Sequence, residues 1–261
     1  PGCAGLASPG PNDVGSSANT VNGKLALSRI SVLPTPDATD ATGATVQARH
    51  LNKHIDYSVL SIQCDGDPNP AYPVGQKAHS LATPTDLAID AAGSTLYVAA
   101  FGSSKVGVFD TATLESDSFD PTLDSANYID VSGGGPVGLA LDEARGRLYV
   151  LTRFDNALKV VNTATRTELQ SIAMHNPEPV TTVVQGRPFL YDAVATSGNG
   201  EASCSSCHIF GDMDHLAWDL GNPDDSVATN PMTINLLLAA NNNQNGGASD
   251  TEFHPMKGPM T

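Results

Sequence analysis

Aromatic rings and charge are both scarce in this chain. Only 5% of its residues are Phe, Trp or Tyr, with a single tryptophan, and 16% are charged. Basic residues are the scarcer sign, 13 against 28 acidic, giving a formal net charge of −15. Such a surface repels nucleic acid and anionic membrane, and it suits a basic protein partner or simple solubility. No run of 18 apolar residues occurs, which excludes a membrane-spanning helix. Neither a Ser-His-Asp order, a phosphate loop nor a zinc-protease motif stands out. No signal peptide is visible, and the start at Pro1 reads as a mature or trimmed amino terminus.

What the chain does have is Gly, Pro, Ser, Thr, Asn and Ala, a mixture suited to short strands joined by many turns. At 261 residues it can bury a real core, as one large domain or two modest ones. Its middle repeats itself. Pro84-Thr85-Asp86-Leu87-Ala88-Ile89-Asp90 returns as Pro136-Val137-Gly138-Leu139-Ala140-Leu141-Asp142. Leu96-Tyr97-Val98 returns as Leu148-Tyr149-Val150, and Val108-Phe109-Asp110-Thr111-Ala112-Thr113 as Val160-Val161-Asn162-Thr163-Ala164-Thr165. Every pair is offset by 52 residues without a gap.

Each repeat reads as three short strands: Leu87–Ile89, Leu96–Ala100 and Val106–Asp110 in the first, separated by turns. Tyr97, Tyr149, Leu87 and Leu139 are expected in the core, while Asp90 and Asp142 close turns. A small β-unit recurring at about 50 residues is the pattern of a propeller blade. The Leu-Tyr-Val and Val-Phe-Asp-Thr-Ala-Thr segments resemble the YVTN family of propeller repeats, over about residues 80–170. The expected fold is therefore mainly β, with propeller-like blades over residues 1–175 and clear repeats at 84–114 and 136–166. Only two units are clear, against the four to eight of a closed propeller, so the ring is expected to be incomplete in this chain. Lys24–Val32 and Tyr57–Ile62 alternate and could add strands, with a Pro/Asp/Thr-rich loop over 34–45 between them.

After Asn176-Pro177-Glu178-Pro179, a plausible linker, the texture changes. Residues 176–261 read as a second, small, mostly helical or irregular segment, and its centre is Cys204-Ser205-Ser206-Cys207-His208. C-x-x-C-H is the attachment sequence of c-type haem. Two thiols at this spacing bond the two vinyl groups of one porphyrin, and the adjacent histidine becomes the proximal iron ligand. A zinc site would need a second Cys/His pair at finger-like spacing, and no second cysteine pair follows. One covalent haem c on Cys204, Cys207 and His208 is expected.

The other cysteines are Cys3 and Cys64. Haem c is attached outside the bacterial cytoplasm, where thiols also oxidise, so a Cys3–Cys64 disulfide is the natural pairing and the protein is expected to be periplasmic or extracellular. For the sixth iron position the candidates are Met256 or Met260, in a Pro/Gly-rich loop well downstream of the motif, with His254 and His215 behind them. On a shared helix His215 would lie about 10 Å from His208, at the porphyrin edge. Trp218 is expected to shield the haem edge or fill core. Asp212, Asp214 and Asp219 suit solvation or capping, and calcium is the alternative if folding converges their oxygens.

Gly186-Arg187-Pro188-Phe189-Leu190-Tyr191-Asp192, the small-residue loop Thr196–Gly200 and C-x-x-C-H resemble the haem-entry segment of the di-haem cytochrome c peroxidase and MauG-type families. With Phe253-His254-Pro255-Met256-Lys257-Gly258-Pro259-Met260, the whole looks like bacterial proteins that fuse YVTN repeats to such a cytochrome domain. The chain departs from that pattern in ending inside the last motif and in showing no second C-x-x-C-H. The reading is an exported electron-transfer cytochrome whose propeller part is scaffold or docking surface, served by a basic or haem-bearing redox partner. Two alternatives stay open: a haem peroxidase or oxidase drawing a second haem from further sequence or a partner, and a structural module that self-assembles through exposed strand edges.

Overall fold

The computed structural model describes residues 27–33, 45–55, 76–174, 181–197, 199–206 and 208. The chain divides into two compact units. One comprises Ala26–Ile55 and Gly75–Cys207; the other comprises Pro1–Leu25, Asp56–Val74 and His208–Thr261, of which only His208 is described.

The first unit is mainly β and antiparallel throughout, with few helices. A hairpin-like pair, β1 (Arg29–Val32) and β2 (Gln47–His50), precedes two four-stranded sheets. Sheet one holds β3 (Pro84–Ile89), β4 (Thr95–Ala100), β5 (Lys105–Asp110) and the short β6 (Ile129–Asp130), in that order. Sheet two holds β7 (Pro136–Asp142), β8 (Arg147–Thr152), β9 (Ala157–Asn162) and β10 (Thr167–Ala173), also in order. The repeat thus folds twice into the same meander, down to an equivalent bulge after Pro84 and after Pro136. Each unit carries a fourth strand that the three-strand reading omits. Among the described residues the sheets do not close into a ring.

Turn chemistry explains why the strands stop where they do. The Asp90 carboxylate accepts from Ser94 N, Ser94 Oγ and Thr95 N. Asp142 accepts from Arg145 N and pairs with the Arg145 guanidinium at 2.8 Å. Both aspartates close turns as expected. The third matching turn diverges. Asp110 caps α1 (Thr111–Glu115) by accepting from Thr113 N. Asn162 instead accepts from Ala164 N and Thr165 N and delivers the chain straight into β10. A further short helix, α2 (Pro121–Asp124), follows α1 before β6.

Two apolar clusters hold the unit together. Leu148, Val150 and Val161 of sheet two meet Tyr97, Val106 and Val108 of sheet one. The opposite face of sheet one, Val98, Ala100 and Phe109, is covered by Ile30, Leu51, Leu81, Leu114 and Phe119. Hydrogen bonds stitch the sheets as well: Leu139 N donates to Asp86 Oδ2 at 2.7 Å, and Ala91 N to Glu143 Oε1 at 2.7 Å. Leu87 corrects the expected core, being 50% exposed. It sits on β3, an end strand, and its neighbour in the same row, Ile89, is also exposed.

Candidate functional site

The segment that carries the cysteine motif is built onto this β-unit. α3 (Thr181–Tyr191) contains Gly186 and Pro188, poor helix formers, so its place depends on tertiary contacts. Arg187 donates to the carbonyls of Arg153 and Phe154, at 2.9 and 2.7 Å, on the turn between β8 and β9. Tyr191 lies against Phe101 and Phe154, with ring centroids 5.3 and 6.0 Å apart. Such aromatic contacts contribute on the order of 1 kcal/mol each beyond area burial. Gly134 and Gly135 pass beneath the Phe154 ring with φ of +80° and +66°, and a Cβ on either would fall within 3 Å of it.

Asp192 ends the helix and begins α4 (Ala193–Thr196), accepting from Ala195 N and from Ser104 Oγ. Nearby, burial holds the Lys105 ammonium below its ordinary pKa, opposed by the negative charges of Asp130 and Asp192.

The following turn is clamped from three sides. Ser80 Oγ donates to the Asn199 carbonyl at 2.6 Å. Gly200 adopts φ +77°, and a Cβ there would stand 2.8 Å from the Lys77 carbonyl oxygen. Glu201, 1% exposed, places Oε1 at 3.1 Å from Ser28 N, 3.2 Å from Asn52 Nδ2 and 2.6 Å from His50 Nε2. Asn52 is itself locked to the backbone of Leu81 through both its oxygen and its nitrogen. Around the same turn, His54 Nε2 lies 3.3 Å from Ser80 Oγ, and the His54 and His79 rings meet edge to face at 5.8 Å.

Past this clamp, Cys204–Ser206 form one 3-10 turn. Ser203 and Ser205 are buried with their hydroxyls 2.7 Å apart, and Ser206 Oγ accepts from Ser203 N. Burying those serines turns the Cys204 side chain outward, where it is a free, exposed thiol. That fits the donor chemistry expected of it, since a thiol must be reachable to bond a vinyl group. His208 is half-buried. Cys207, His215, His254, Met256 and Met260 lie outside the described residues, as do Trp218, Asp212, Asp214, Asp219 and the Cys3–Cys64 pair. Among the described residues no three His, Cys, Asp or Glu side chains converge as a metal site, and no helix is long and apolar enough to cross a membrane.

Glu201, Asn52 and the histidines are what the sequence reading missed. His50, His54 and His79 carry no expected role there, yet all three gather at the turn that precedes the motif. Their partners lie 26 to 151 residues away in sequence, so no local pattern announces them.

No family model matches the chain, and no curated protein matches it. Among solved structures, a chain of the Kuenenia stuttgartiensis hydrazine synthase is similar over 40% of this chain and 27% of that chain, at 20% identity and a TM-score of 0.30. A likeness at that level supports no statement about fold or chemistry. The resemblance to YVTN repeats and to di-haem cytochromes therefore rests on the motif residues alone.

Proposed function

We propose that this protein is an exported c-type cytochrome that transfers electrons through one haem held by Cys204, Cys207 and His208. The observation that carries the proposal is the Cys-Ser-Ser-Cys-His run, whose first three residues form a turn that exposes the Cys204 thiol between the buried Ser203 and Ser205. When bound, the group would supply one-electron ferrous–ferric chemistry. The protein's own part is positional. Glu201, Asn52 and Ser80 fix the approach to the motif on a rigid antiparallel frame, and Arg187 and Tyr191 tie the preceding helix to the same frame. Met256 or Met260, then His254 or His215, are the proposed distal ligands. The β-repeats serve as scaffold or docking surface within a 1–175 propeller-like part, and residues 176–261 form the haem-bearing part. The net charge of −15 favours a basic redox partner.

The test is expression of the full chain with haem-attachment machinery, followed by acid extraction and spectroscopy. One non-extractable haem per chain, lost in Cys204→Ala/Cys207→Ala, is the expected result; extractable haem or none overturns the reading. The weak red-edge absorption of a methionine–iron bond, abolished in Met256→Ala or Met260→Ala, would identify the distal ligand. A high-spin ferric form that reacts with peroxide would instead support the oxidase or peroxidase alternative.

A further inference from the structure

The 52-residue repeat gives each position of sheet one an equivalent in sheet two. On sheet one, Tyr97, Val106 and Val108 are 7%, 0% and 5% exposed, because sheet two covers that face. Their equivalents Tyr149, Leu158 and Val160 share one face of sheet two, paired in register as Tyr149 with Val160 and Leu151 with Leu158. Ile172 on β10 extends the row beside Leu158. Here no described residue closes the face: Tyr149, Leu158 and Val160 are half-buried, and Leu151 is 38% and Ile172 42% exposed. Among the described residues the same design is buried in one copy of the repeat and partly open in the other. A contiguous apolar face of this kind marks an interaction surface.

Two features of the face select its occupant. The first is shape. Large side chains, Tyr149 and Leu151, stand beside the small Ala140 and Gly138 opposite them on β7. A face with bulk on one strand and space on the next is self-complementary under a two-fold axis, which sets the bulk of each copy over the space of the other. The face is also bulkier than its covered equivalent, with Leu151 in place of Ala99 and Leu158 in place of Val106. The second feature is charge. Residues 136–174 carry 5 of the 13 basic residues and only 4 of the 28 acidic ones, leaving 8 and 24 for the rest of the chain. Two copies of a strongly acidic protein repel least where the local charge is nearly balanced.

We infer that the open face of sheet two, centred on Tyr149, Leu151, Leu158 and Ile172, is a self-association surface on which two copies of this chain pair about a two-fold axis. This rests on the repeat and not on the haem reading. Sedimentation equilibrium of the full chain tests it. A dimer is expected at about 100 µM protein, a concentration that populates micromolar complexes. Leu151→Lys/Ile172→Lys, both at positions already exposed, should weaken association at least about tenfold by placing like charges face to face. Leu123→Lys, at an exposed leucine on α2, should leave it unchanged, with circular dichroism confirming that both variants fold. A single-chain mass for the wild type at about 100 µM overturns the inference. So does a dimer that survives the double lysine variant, or one that Leu123→Lys disrupts equally.

Discussion

Removing the Glu201 carboxylate should weaken the β-unit more than any other single change at the motif turn. In Glu201→Ala, Ser28 N and one hydrogen of Asn52 Nδ2 lose their acceptor inside the protein, while His50, 22% exposed, can turn to water. An orphaned buried donor costs about 1–3 kcal/mol, so two cost about 4 kcal/mol. That is a large share of the roughly 5–15 kcal/mol that holds a domain folded. Glu201→Gln keeps an oxygen in the same place but replaces charge-assisted bonds by neutral ones, a loss of about 2 kcal/mol. His50→Ala removes one partner from the buried carboxylate, which keeps Ser28 N and Asn52 Nδ2, and should cost about 1.5 kcal/mol. Urea unfolding of the full chain reads the midpoint and slope together, which separates stability from compactness. Glu201→Ala is expected to destabilise most, Glu201→Gln less, and His50→Ala least. The reasoning fails if Glu201→Ala stays within about 1 kcal/mol of wild type and amide exchange at Ser28 is unchanged.

Asp155→Ala should cost about 3–5 kcal/mol, because Lys159 is 2% exposed and its ammonium sits 2.5 Å from Asp155 Oδ2, with Ser171 Oγ as its other partner among the described residues. Adding Lys159→Met should recover most of that loss in the same urea assay, and failure to recover it would remove the stranded charge as the cause. Gly200→Ala should lower stability by about 2 kcal/mol, since φ +77° is unfavourable for alanine and the new Cβ meets the Lys77 carbonyl; an unchanged thermal midpoint would refute it. Asp90 should titrate at about 2 rather than 3.8, held down first by the Ser94 hydroxyl and then by the Thr95 amide. Its contribution is therefore full above pH 3.8 and lost as pH falls through about 2, and carboxyl carbon NMR giving a midpoint at the ordinary 3.8 would contradict this.

The sheets were legible because the repeat prints its strands twice. Leu96–Ala100 and Val106–Asp110 fall within one residue of β4 and β5, since buried strands must be apolar runs bounded by turn residues. The fourth strands were not. β10 lies at the sheet edge with most of its residues exposed, so Thr167–Ala173 carries no apolar signature, and β6 has only two residues. The equivalent Asp110 and Asn162 turns also end differently, one in a helix and one in a hairpin, although their sequences match. The exposed position of Cys204 follows from its buried serine neighbours, a local pattern no motif encodes. The Glu201 clamp was invisible for a different reason: a lone glutamate before a cysteine looks solvated until residues 28, 50 and 52 are brought to it.

That clamp orders events during folding. Glu201 reaches back 173 residues to Ser28 and 149 to Asn52, so its bonds are among the least local in the molecule. Contacts of such separation form after nearby strands have already paired, because loop closure must be offset first. The meanders of sheets one and two can assemble from neighbours alone. The segment bearing Cys204 is tied to that frame through contacts of long sequence separation, so the frame's own pairing does not depend on it.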